Sequence, residues 1–386
     1  MTTPAASSLG PKTIYWYVTN TCNQRCTHCW VTAGGEFGTK AARLSELQDF
    51  FDDAISLGLR HVKFTGGEPM VYRDFKVSCD YFASHNIALW IETNGIRIDG
   101  AWARYFAEVG AEVGLSLDDV DPRIHDEFRK RDGSWEATVS GAREMIALGV
   151  RVGVTSCLTG SNLQNLQAMT EFVLNDLRAE HIAFNPILEF GRSRDSSRDW
   201  PRYLDEMLDR YETLVPQYGR DRLVLNLPVA FTTTAFHQAC HLGDEIISVL
   251  ADGSISICGF GIDDGQAIRF GDARTDRLSS MWNGVAGIQH LRSPGHGRLK
   301  GVCGNCVFVN SCRGYCRAQA LSAYGDVDAP YPICQHAAER GKFPVRYLVD
   351  PDRAVSYEPT RLATHETDDL LPKGATQVQL GRRIPK

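Results

Sequence analysis

The segment Thr19-Asn-Thr-Cys22-Asn-Gln-Arg-Cys26-Thr-His-Cys29-Trp30 places three cysteines directly after the apolar run Thr13-Ile-Tyr-Trp-Tyr-Val-Thr19. A run this rich in β-branched and aromatic residues predicts a strand, so the thiols should lie in the loop at its carboxyl end. In barrels of alternating strands and helices, that rim holds the chemistry. Three thiolates suit a four-iron cluster with one open iron, while a structural zinc loop with His28 as a further ligand is the alternative.

Residues 12–192 alternate short strand-like runs with amphipathic helical stretches, which is the pattern of βα units around a parallel sheet. The predicted strands span residues 13–19, 61–65, 87–93, 112–117, 150–155 and 181–185. Between them, apolar residues such as Leu44, Leu47 and Phe51 recur at helical spacing. The sequence therefore predicts an α/β domain over this region.

Beyond residue 192 the alternation stops. We divide the remainder into a helical linker at 193–236, a cysteine-rich domain at 237–345 and a polar tail at 346–386, with residues 1–11 as an N-terminal extension. A hairpin is predicted over residues 246–257, because the Asp252-Gly253 pair is a turn signal between apolar arms. The cysteines of this region are Cys240, Cys258, Cys303, Cys306, Cys312, Cys316 and Cys334.

Composition excludes several classes of function. Lys and Arg total 41 against 47 Asp and Glu, and no basic run forms a phosphate-binding stripe, which argues against nucleic acid as a partner. No signal peptide and no membrane span are evident, so we expect a cytoplasmic protein. In that reducing compartment the 12 cysteines are expected to bind metal or do chemistry rather than form disulfides.

The cysteine loop C-x3-C-x2-C with its following aromatic residue, Trp30, resembles that of the radical S-adenosylmethionine (SAM) enzymes. The second predicted strand ends in Gly66-Gly67-Glu68-Pro69, similar to the family segment that contacts the methionine amino group. The paired glycines would also let backbone approach a ligand closely. Residues at the next strand ends match family positions that face the SAM ribose and carboxylate, namely Glu92, Asn94, Ser116 and Asp118. Turn and helix-cap residues explain any one of these matches. However, all four strand ends carry the residue types of the family, which is harder to obtain by chance than a single match.

The resemblance implies a partial (βα)6 barrel in which Cys22, Cys26 and Cys29 hold a [4Fe–4S] cluster that binds SAM. An electron from a donor such as flavodoxin or ferredoxin then cleaves SAM to methionine and a 5′-deoxyadenosyl radical, which removes a hydrogen atom from the substrate. The rival interpretation is a noncatalytic metal-binding scaffold.

The seven C-terminal cysteines resemble the SPASM domain, a small α+β module for auxiliary clusters. The resemblance, applied position by position, implies that one [4Fe–4S] cluster is held by Cys303, Cys306, Cys312 and Cys334. It implies that a second cluster is held by Cys240, Cys258 and Cys316. The candidates for the fourth ligand of that cluster are His237, His241, Asp244 and the substrate. Two structural zinc sites are the alternative. Auxiliary clusters can accept the second electron of a substrate oxidation or stabilise a domain with little core.

A few residues bear on the type of reaction. Cys157 ends the fifth predicted strand, where a thiol can return a hydrogen atom and turn oxidation into epimerisation, although many such cysteines only pack. Asn185, Glu189 and Arg192 follow the sixth strand and are candidates for SAM or substrate contacts. Arg129, Lys130 and Arg131 are expected on a solvated helix end, with an anion contact as the alternative.

The substrate class is inferred from the N-terminal segment. Related peptide maturases carry about 80 to 100 residues before the cysteine loop, a size typical of a small domain, whereas 21 residues precede Cys22 here. We therefore expect oxidation or epimerisation of a small secondary metabolite, such as an aminocyclitol or a sugar. Modification of a ribosomally made peptide or a protein side chain is the alternative.

Overall fold

The computed structural model describes residues 10–34, 40–187, 191–193, 200–232, 240–259, 268–292, 297–353 and 355–357. Their strands form one sheet. The strands are β1 (Thr13–Thr19), β2 (His61–Gly66), β3 (Ala88–Thr93), β4 (Glu112–Ser116), β5 (Arg151–Leu158), β6 (His181–Pro186), β7 (Leu223–Leu225), β8 (Ile246–Val249), β9 (Ser254–Ser256) and β10 (Arg269–Asp272).

Helices connect the strands and cover the sheet. In the barrel they are α1 (Leu44–Ser56), α2 (Phe75–Ser84), α3 (Gly100–Glu108), α4 (Pro122–Arg129), α5 (Ser134–Ala147), α6 (Leu166–Glu171) and α7 (Trp200–Tyr218). The later ones are α8 (Leu278–Met281), α9 (Ala286–Arg292), α10 (Gly301–Gly304), α11 (Val309–Cys312), α12 (Arg317–Tyr324) and α13 (Pro332–Glu339). Among the described helices, none combines the length and the apolar character needed to cross a membrane.

The sheet runs in the order β10-β9-β8-β1-β2-β3-β4-β5-β6-β7. Strands β1 to β7 are parallel to their neighbours, and β8 pairs with β1 in parallel on the opposite side from β2. Strand β9 runs antiparallel to both of its neighbours, β8 and β10. The carboxyl ends of β1 to β6 therefore meet at one rim, where the loops that follow them come together.

The two faces of the sheet have different roles. Alternate residues of β1, such as the fully buried Trp16, point toward the helices, and the Trp16 ring lies 4.9 Å from the ring of Phe51 in α1. The other face, which we call the inner face, carries Tyr15, Lys63 and Trp90 as cross-strand neighbours in β1, β2 and β3. Side chains on this face line the partial barrel instead of its hydrophobic layer.

All six predicted strands are present, with ends that coincide or are shifted by at most three residues. The largest shift is in β5, which continues to Leu158, so Cys157 lies inside the strand rather than closing it. Strand β7 falls in the predicted helical linker and was missed, because its three residues are too few to show a period of two.

The predicted hairpin at 246–257 is confirmed as β8 and β9, with the turn between them. Its first strand pairs with β1, so the sheet continues from the barrel into the cysteine-rich region, which no local pattern indicates. The division of the chain into domains stays a prediction. The described start of the predicted tail is not extended, since the Val349 amide donates to the Asn305 carbonyl at 2.8 Å. Residues 1–9, 233–239 and 358–386 lie outside the described residues.

Candidate active site

The N-terminal cysteine loop lies at the rim, directly after β1. Cys26 is buried and Cys22 and Cys29 are half-buried. Backbone amides point at two of the sulfurs, from Gln24 to Cys22 Sγ at 3.4 Å and from Ala33 to Cys29 Sγ at 3.3 Å. Burial raises the pKa of the Cys22 thiol to about 12, so in the metal-free chain this group keeps its proton. Metal binding must then displace that proton, and the amides are ready to stabilise the thiolates.

The paired glycines after β2 are explained by contact with the cysteine loop. Gly67 N donates to the Thr19 carbonyl at 2.6 Å, and Glu68 N donates to the Thr21 carbonyl at 2.9 Å. A Cβ on Gly67 would lie 2.1 Å from the Thr21 oxygen, and one on Gly66, whose φ is +113°, would lie 2.7 Å from the Thr19 oxygen. The close approach that requires glycine here is to the chain leading into the loop, and contact of this segment with SAM stays a prediction.

Glu68 is a buried connector between two strand ends. Its carboxylate, in a residue only 1% exposed, accepts from Thr93 Oγ1 at 2.7 Å, from the Asn94 amide at 2.9 Å and from the Met70 amide at 3.1 Å. The adjacent Pro69 is buried in a short 3-10 turn. Three protein donors fix the Glu68 carboxylate against β3, and its contact with the amino group of SAM stays a prediction.

The two candidates at the end of β3 occupy different places. Asn94 lies at the rim, where its Nδ2 donates to Asn23 Oδ1 in the cysteine loop at 2.7 Å. Glu92 lies deeper on the inner face, where its carboxylate forms an ion pair with Lys63 and accepts from Thr65 Oγ1 at 2.9 Å. The structure therefore brings Asn94 to the loop, whereas Glu92 belongs to the barrel interior.

Arg129 is buried at the rim, so the expectation of a solvated helix end was wrong. Its side chain is 7% exposed, its Nε donates to Asp118 Oδ2 at 2.6 Å, and its Nη1 lies 3.9 Å from Cys26 Sγ. Helix α4 ends here because Lys130 takes a left-handed conformation, with φ of +54°. The sequence Arg129-Lys130-Arg131 does not indicate that Arg129 points inward, because its direction depends on the left-handed conformation of Lys130.

Asp118, His28 and Cys157 meet beside the loop, with one ligand atom of each within 4.8 Å of the others. Burial would raise the pKa of Asp118, but Arg129 and His28 outweigh it and lower the pKa to about 2. The stabilising charge of this carboxylate is therefore present above its ordinary pKa and is lost only as pH falls through about 2. Burial lowers the pKa of His28 to about 4, and its neutral ring stacks on Phe128 at 4.4 Å.

These contacts argue against a structural zinc site in the cysteine loop with His28 as its fourth ligand. A zinc loop needs His28 beside the three loop thiols, yet His28 groups with Asp118 and Cys157. The Asp118 carboxylate is already paired with Arg129, so this second group does not suit a metal either.

The remaining rim candidates are spread around the site. Trp30 packs edge-on against Tyr17, with ring centroids 6.1 Å apart. Ser116 is the last residue of β4 and is half-buried. Asn185 in β6 accepts a hydrogen bond from Asn226, just after β7.

Arg192 holds the cysteine loop through its backbone. The Arg192 Nε donates to the Cys26 carbonyl at 2.7 Å, its Nη1 donates to the Ala33 carbonyl at 2.9 Å, and its own amide donates to the Cys29 carbonyl at 3.1 Å. The structure therefore uses Arg192 to brace the loop rather than leaving it free for SAM or substrate. Glu189 lies outside the described residues.

The structure brings four of the C-terminal cysteines together around one pocket. These four are Cys303, Cys306, Cys312 and Cys334. The other lining residues are mainly apolar, including Pro228, Val309 and Phe343, and the Tyr331 amide lies 3.3 Å from Cys303 Sγ. This grouping is the one that position in the sequence predicts for one auxiliary cluster.

The second C-terminal group lies toward β1. Burial raises the pKa of Cys240 to about 12, and Cys316 adds to this effect. Burial also raises the pKa of Tyr15 on the inner face, and Cys240 and Cys258 act in the same direction. Of the candidate fourth ligands, Asp244 is paired with Arg313 at 2.8 Å, and His237 lies outside the described residues. Among the described residues, His241 has a buried Nδ1 with no hydrogen-bond partner.

The spacing of the thiols suits iron–sulfur clusters better than zinc. In the described part of the chain, no three cysteine sulfurs come within 4.8 Å of one another. Tetrahedral zinc, with Zn–S bonds of about 2.3 Å, requires sulfurs about 3.8 Å apart. A four-iron cubane places one iron under each thiolate and holds the sulfurs more widely.

Comparison with known proteins matches two parts of this chain to iron–sulfur protein families. Residues 16–173 match the Radical SAM superfamily, and residues 240–307 match SPASM, an iron–sulfur cluster-binding domain. The chain is 26% identical over 339 residues to the mycofactocin maturase MftC of Mycobacterium tuberculosis, covering 84% of this chain and 83% of MftC. It is 26% identical over 353 residues to the Fe-coproporphyrin III synthase of Methanosarcina barkeri, covering 83% and 87%.

Two solved structures share the fold. Streptococcus suis SuiB bound to the precursor peptide SuiA superposes with a TM-score of 0.69 at 15% identity, covering 84% of this chain and 76% of SuiB. The enzyme anSMEcpe with bound AdoMet and Cp18Cys peptide superposes with a TM-score of 0.63 at 18% identity, covering 87% and 96%. The predicted partial barrel with a cysteine-rich second module is confirmed.

Gly67→Ala tests the close approach at the rim. Because the added methyl would lie 2.1 Å from a backbone oxygen, no side-chain rotation can relieve the clash and the cysteine loop must shift. We expect purified Gly67→Ala protein to lose about four irons per chain, those of one cubane, by iron analysis. Gly100→Ala is the control, because its methyl would meet only the ends of two flexible side chains. A Gly67→Ala protein with wild-type iron would contradict this account of the glycine pair.

Proposed function

Because the chain belongs to the radical SAM superfamily and carries a SPASM iron–sulfur domain, we propose that it abstracts a hydrogen atom from a peptide or protein side chain. The family uses SAM and [4Fe–4S] clusters as cofactors, and its members among the curated relatives are enzymes. When bound, these cofactors supply a 5′-deoxyadenosyl radical. The observation that carries the proposal is the meeting of the cysteine loop, Asn94 and Asp118 at one rim.

The residues of this rim have separate tasks in the proposal. Cys22, Cys26 and Cys29 hold the cluster that binds SAM. Glu68 keeps the end of β3 against the loop, and Arg129 connects Cys26 to the end of β4. A rim fixed by buried contacts on three strands keeps the reacting groups in place and excludes water, which reactive radicals require.

A peptide substrate is favoured by what the relatives are named for. MftC is a maturase, SuiB was solved with a precursor peptide, and anSMEcpe was solved with a bound peptide. These relatives favour the peptide alternative over the aminocyclitol or sugar that we expected from the short segment before Cys22. The expectation rested on a missing feature, and the length of chain before the loop does not set the chemistry of the barrel.

The inner face of the barrel can receive a polar group. Lys63 Nζ lies 4.6 Å from the centre of the Tyr15 ring and 4.5 Å from that of Trp90, and its charge is balanced by Glu92. Glu92 is 38% exposed on its side chain, so its carboxylate is accessible from the barrel interior. We propose that this carboxylate contacts the substrate rather than SAM.

A second candidate reaction is epimerisation with Cys157 as the hydrogen-atom donor. Cys157 shares the inner face with Thr155, and its backbone amide donates to Asp118 Oδ1 at 2.9 Å. Burial, with a further contribution from Asp118, raises the pKa of the Cys157 thiol well above its usual range, so the group stays S–H at neutral pH. Only the protonated thiol can return a hydrogen atom to a substrate radical.

Cys26→Ala tests the cofactor chemistry. With dithionite as reductant and SAM added, wild-type protein should form 5′-deoxyadenosine, and Cys26→Ala should form none above background, because one iron of the cluster loses its ligand. Cys79→Ala is the matched control, since Cys79 is fully buried in α2 and takes no part in the proposed site. Liquid chromatography measures the nucleoside. Wild-type levels of 5′-deoxyadenosine from Cys26→Ala would contradict the proposal.

Cys157→Ala separates the two reactions. Peptides encoded beside the gene are incubated with enzyme and SAM in D2O and analysed by mass spectrometry. Epimerisation through Cys157 predicts one deuterium in the product, because the thiol exchanges with solvent, and loss of that product in Cys157→Ala with SAM cleavage retained. Oxidation predicts a product lighter by two hydrogen atoms from both proteins, which would assign Cys157 to packing.

A further inference from the structure

Arg317 is a buried cation without a carboxylate partner. The residue follows Cys316 and is only 7% exposed. Its Nη1 donates to the carbonyls of Ala329 at 2.6 Å and Val327 at 3.1 Å, and its Nη2 donates to the Gly314 carbonyl. In the part of the chain that the structure describes, no carboxylate forms an ion pair with Arg317, and its Nε is buried without a hydrogen-bond partner. The polypeptide alone thus leaves this charge uncompensated.

A buried guanidinium requires a negative partner, because carbonyl dipoles do not replace a counter-charge. The groups around Arg317 that can carry negative charge are thiols. Burial raises the pKa of each thiol, and the Arg317 charge opposes that effect in both C-terminal groups. The thiols affected are Cys303, Cys312 and Cys334 of one group and Cys240 and Cys316 of the other. The geometry places Arg317 between the two groups: it directly follows Cys316 of one group, and the Gly314 carbonyl that it binds belongs to a residue lining the pocket of the other.

The backbone between Cys312 and Cys316 is shaped to hold this side chain. Arg313, Gly314 and Tyr315 have φ values of +55°, +73° and +58°, a left-handed run in which two members are not glycine. Such backbone is strained and persists only where its surroundings demand it. A Cβ on Gly314 would lie 2.4 Å from Arg317 Nη2, so the turn leaves room for the guanidinium and directs the Gly314 carbonyl toward it.

Aromatic contacts mark the same boundary between the groups. The rings of Tyr315 and Tyr331 lie 4.9 Å apart. Burial raises the pKa of Tyr315 well above its usual range, and Cys316 and Cys312, one from each group, add to that effect. The buried Tyr331 and the half-buried Tyr315 thus lie at this boundary with the buried guanidinium and limit the screening of its charge by water.

We propose that Arg317 is the shared counter-ion of the two auxiliary clusters and raises their reduction potentials. The inference rests on the proposed function, in which the two cysteine groups hold [4Fe–4S] clusters. A cluster gains one negative charge on one-electron reduction, so a fixed cation beside it stabilises the reduced form more than the oxidised form. Clusters adjusted in this way are suited to accept the second electron of a substrate oxidation.

The cations beside the rim cluster are held differently from Arg317. Arg129 lies near Cys26, but its charge is neutralised by Asp118 at 2.6 Å. Arg192 also lies beside Cys26 and binds backbone carbonyls, but it is half-buried, so solvent screens its charge more than that of the buried Arg317.

Redox titration of Arg317 variants tests the proposal. Potentials of the auxiliary clusters are measured by electron paramagnetic resonance without SAM or substrate, and iron is measured on the same samples. Arg317→Met should hold wild-type iron and require stronger reduction, with at least a tenfold fall in the reduction equilibrium, about 59 mV for a one-electron couple. Arg317→Lys keeps the charge and should stay close to wild type. Arg298→Met is the control, because Arg298 is paired with Asp328 at 3.1 Å.

Each outcome of the titration either supports or overturns the counter-ion role of Arg317. Arg317→Met protein with full iron and unchanged potentials would overturn the counter-ion role and leave the proposed function intact. If Arg317→Met loses auxiliary iron, retention by Arg317→Lys supports a need for the charge, whereas equal loss in both variants assigns Arg317 to structure only and overturns the proposal. Wild-type protein with no iron beyond one cubane would instead refute the auxiliary clusters, and the counter-ion with them.

Discussion

The parallel pairing of β1 with β2 on one side and β8 on the other is the constraint on which the rest of the molecule depends. At its carboxyl end β1 delivers the three-cysteine loop to the rim, and through β8 it fixes the cysteine-rich region to the same sheet. The inner face of β1 then carries Tyr15, next to Cys240 and Cys258. The cysteine loop that follows β1 and the hairpin that precedes Cys258 are thus held in one sheet by backbone hydrogen bonds.

Buried charge is used in two ways around these groups. Arg129 is neutralised by Asp118 and serves to connect the cysteine loop to the end of β4. Arg317 has carbonyl partners only, so its charge acts on the thiols around it. The cost of burying an unpaired cation is high, and a protein retains one where an anionic cofactor repays it.

Local pattern was enough to predict the six barrel strands, the hairpin and the cysteine groups, because period, turn residues and thiol spacing are properties of short segments. It failed where tertiary contact decides. The direction of Arg129 depends on one left-handed residue, and the reason for Gly67 lies in a chain segment 46 positions away in sequence, at Thr21. The deeper placement of Glu92 and the pairing of β8 with β1 likewise depend on neighbours that no local window contains.

Iron, acid-labile sulfide and zinc per chain after anaerobic preparation test the central claim most directly. Three cysteine groups that each hold a cubane predict about twelve irons with matching sulfide and no stoichiometric zinc. About four irons would leave the rim cluster and remove the auxiliary electron acceptors. Zinc in place of iron, with little sulfide, would contradict the account altogether.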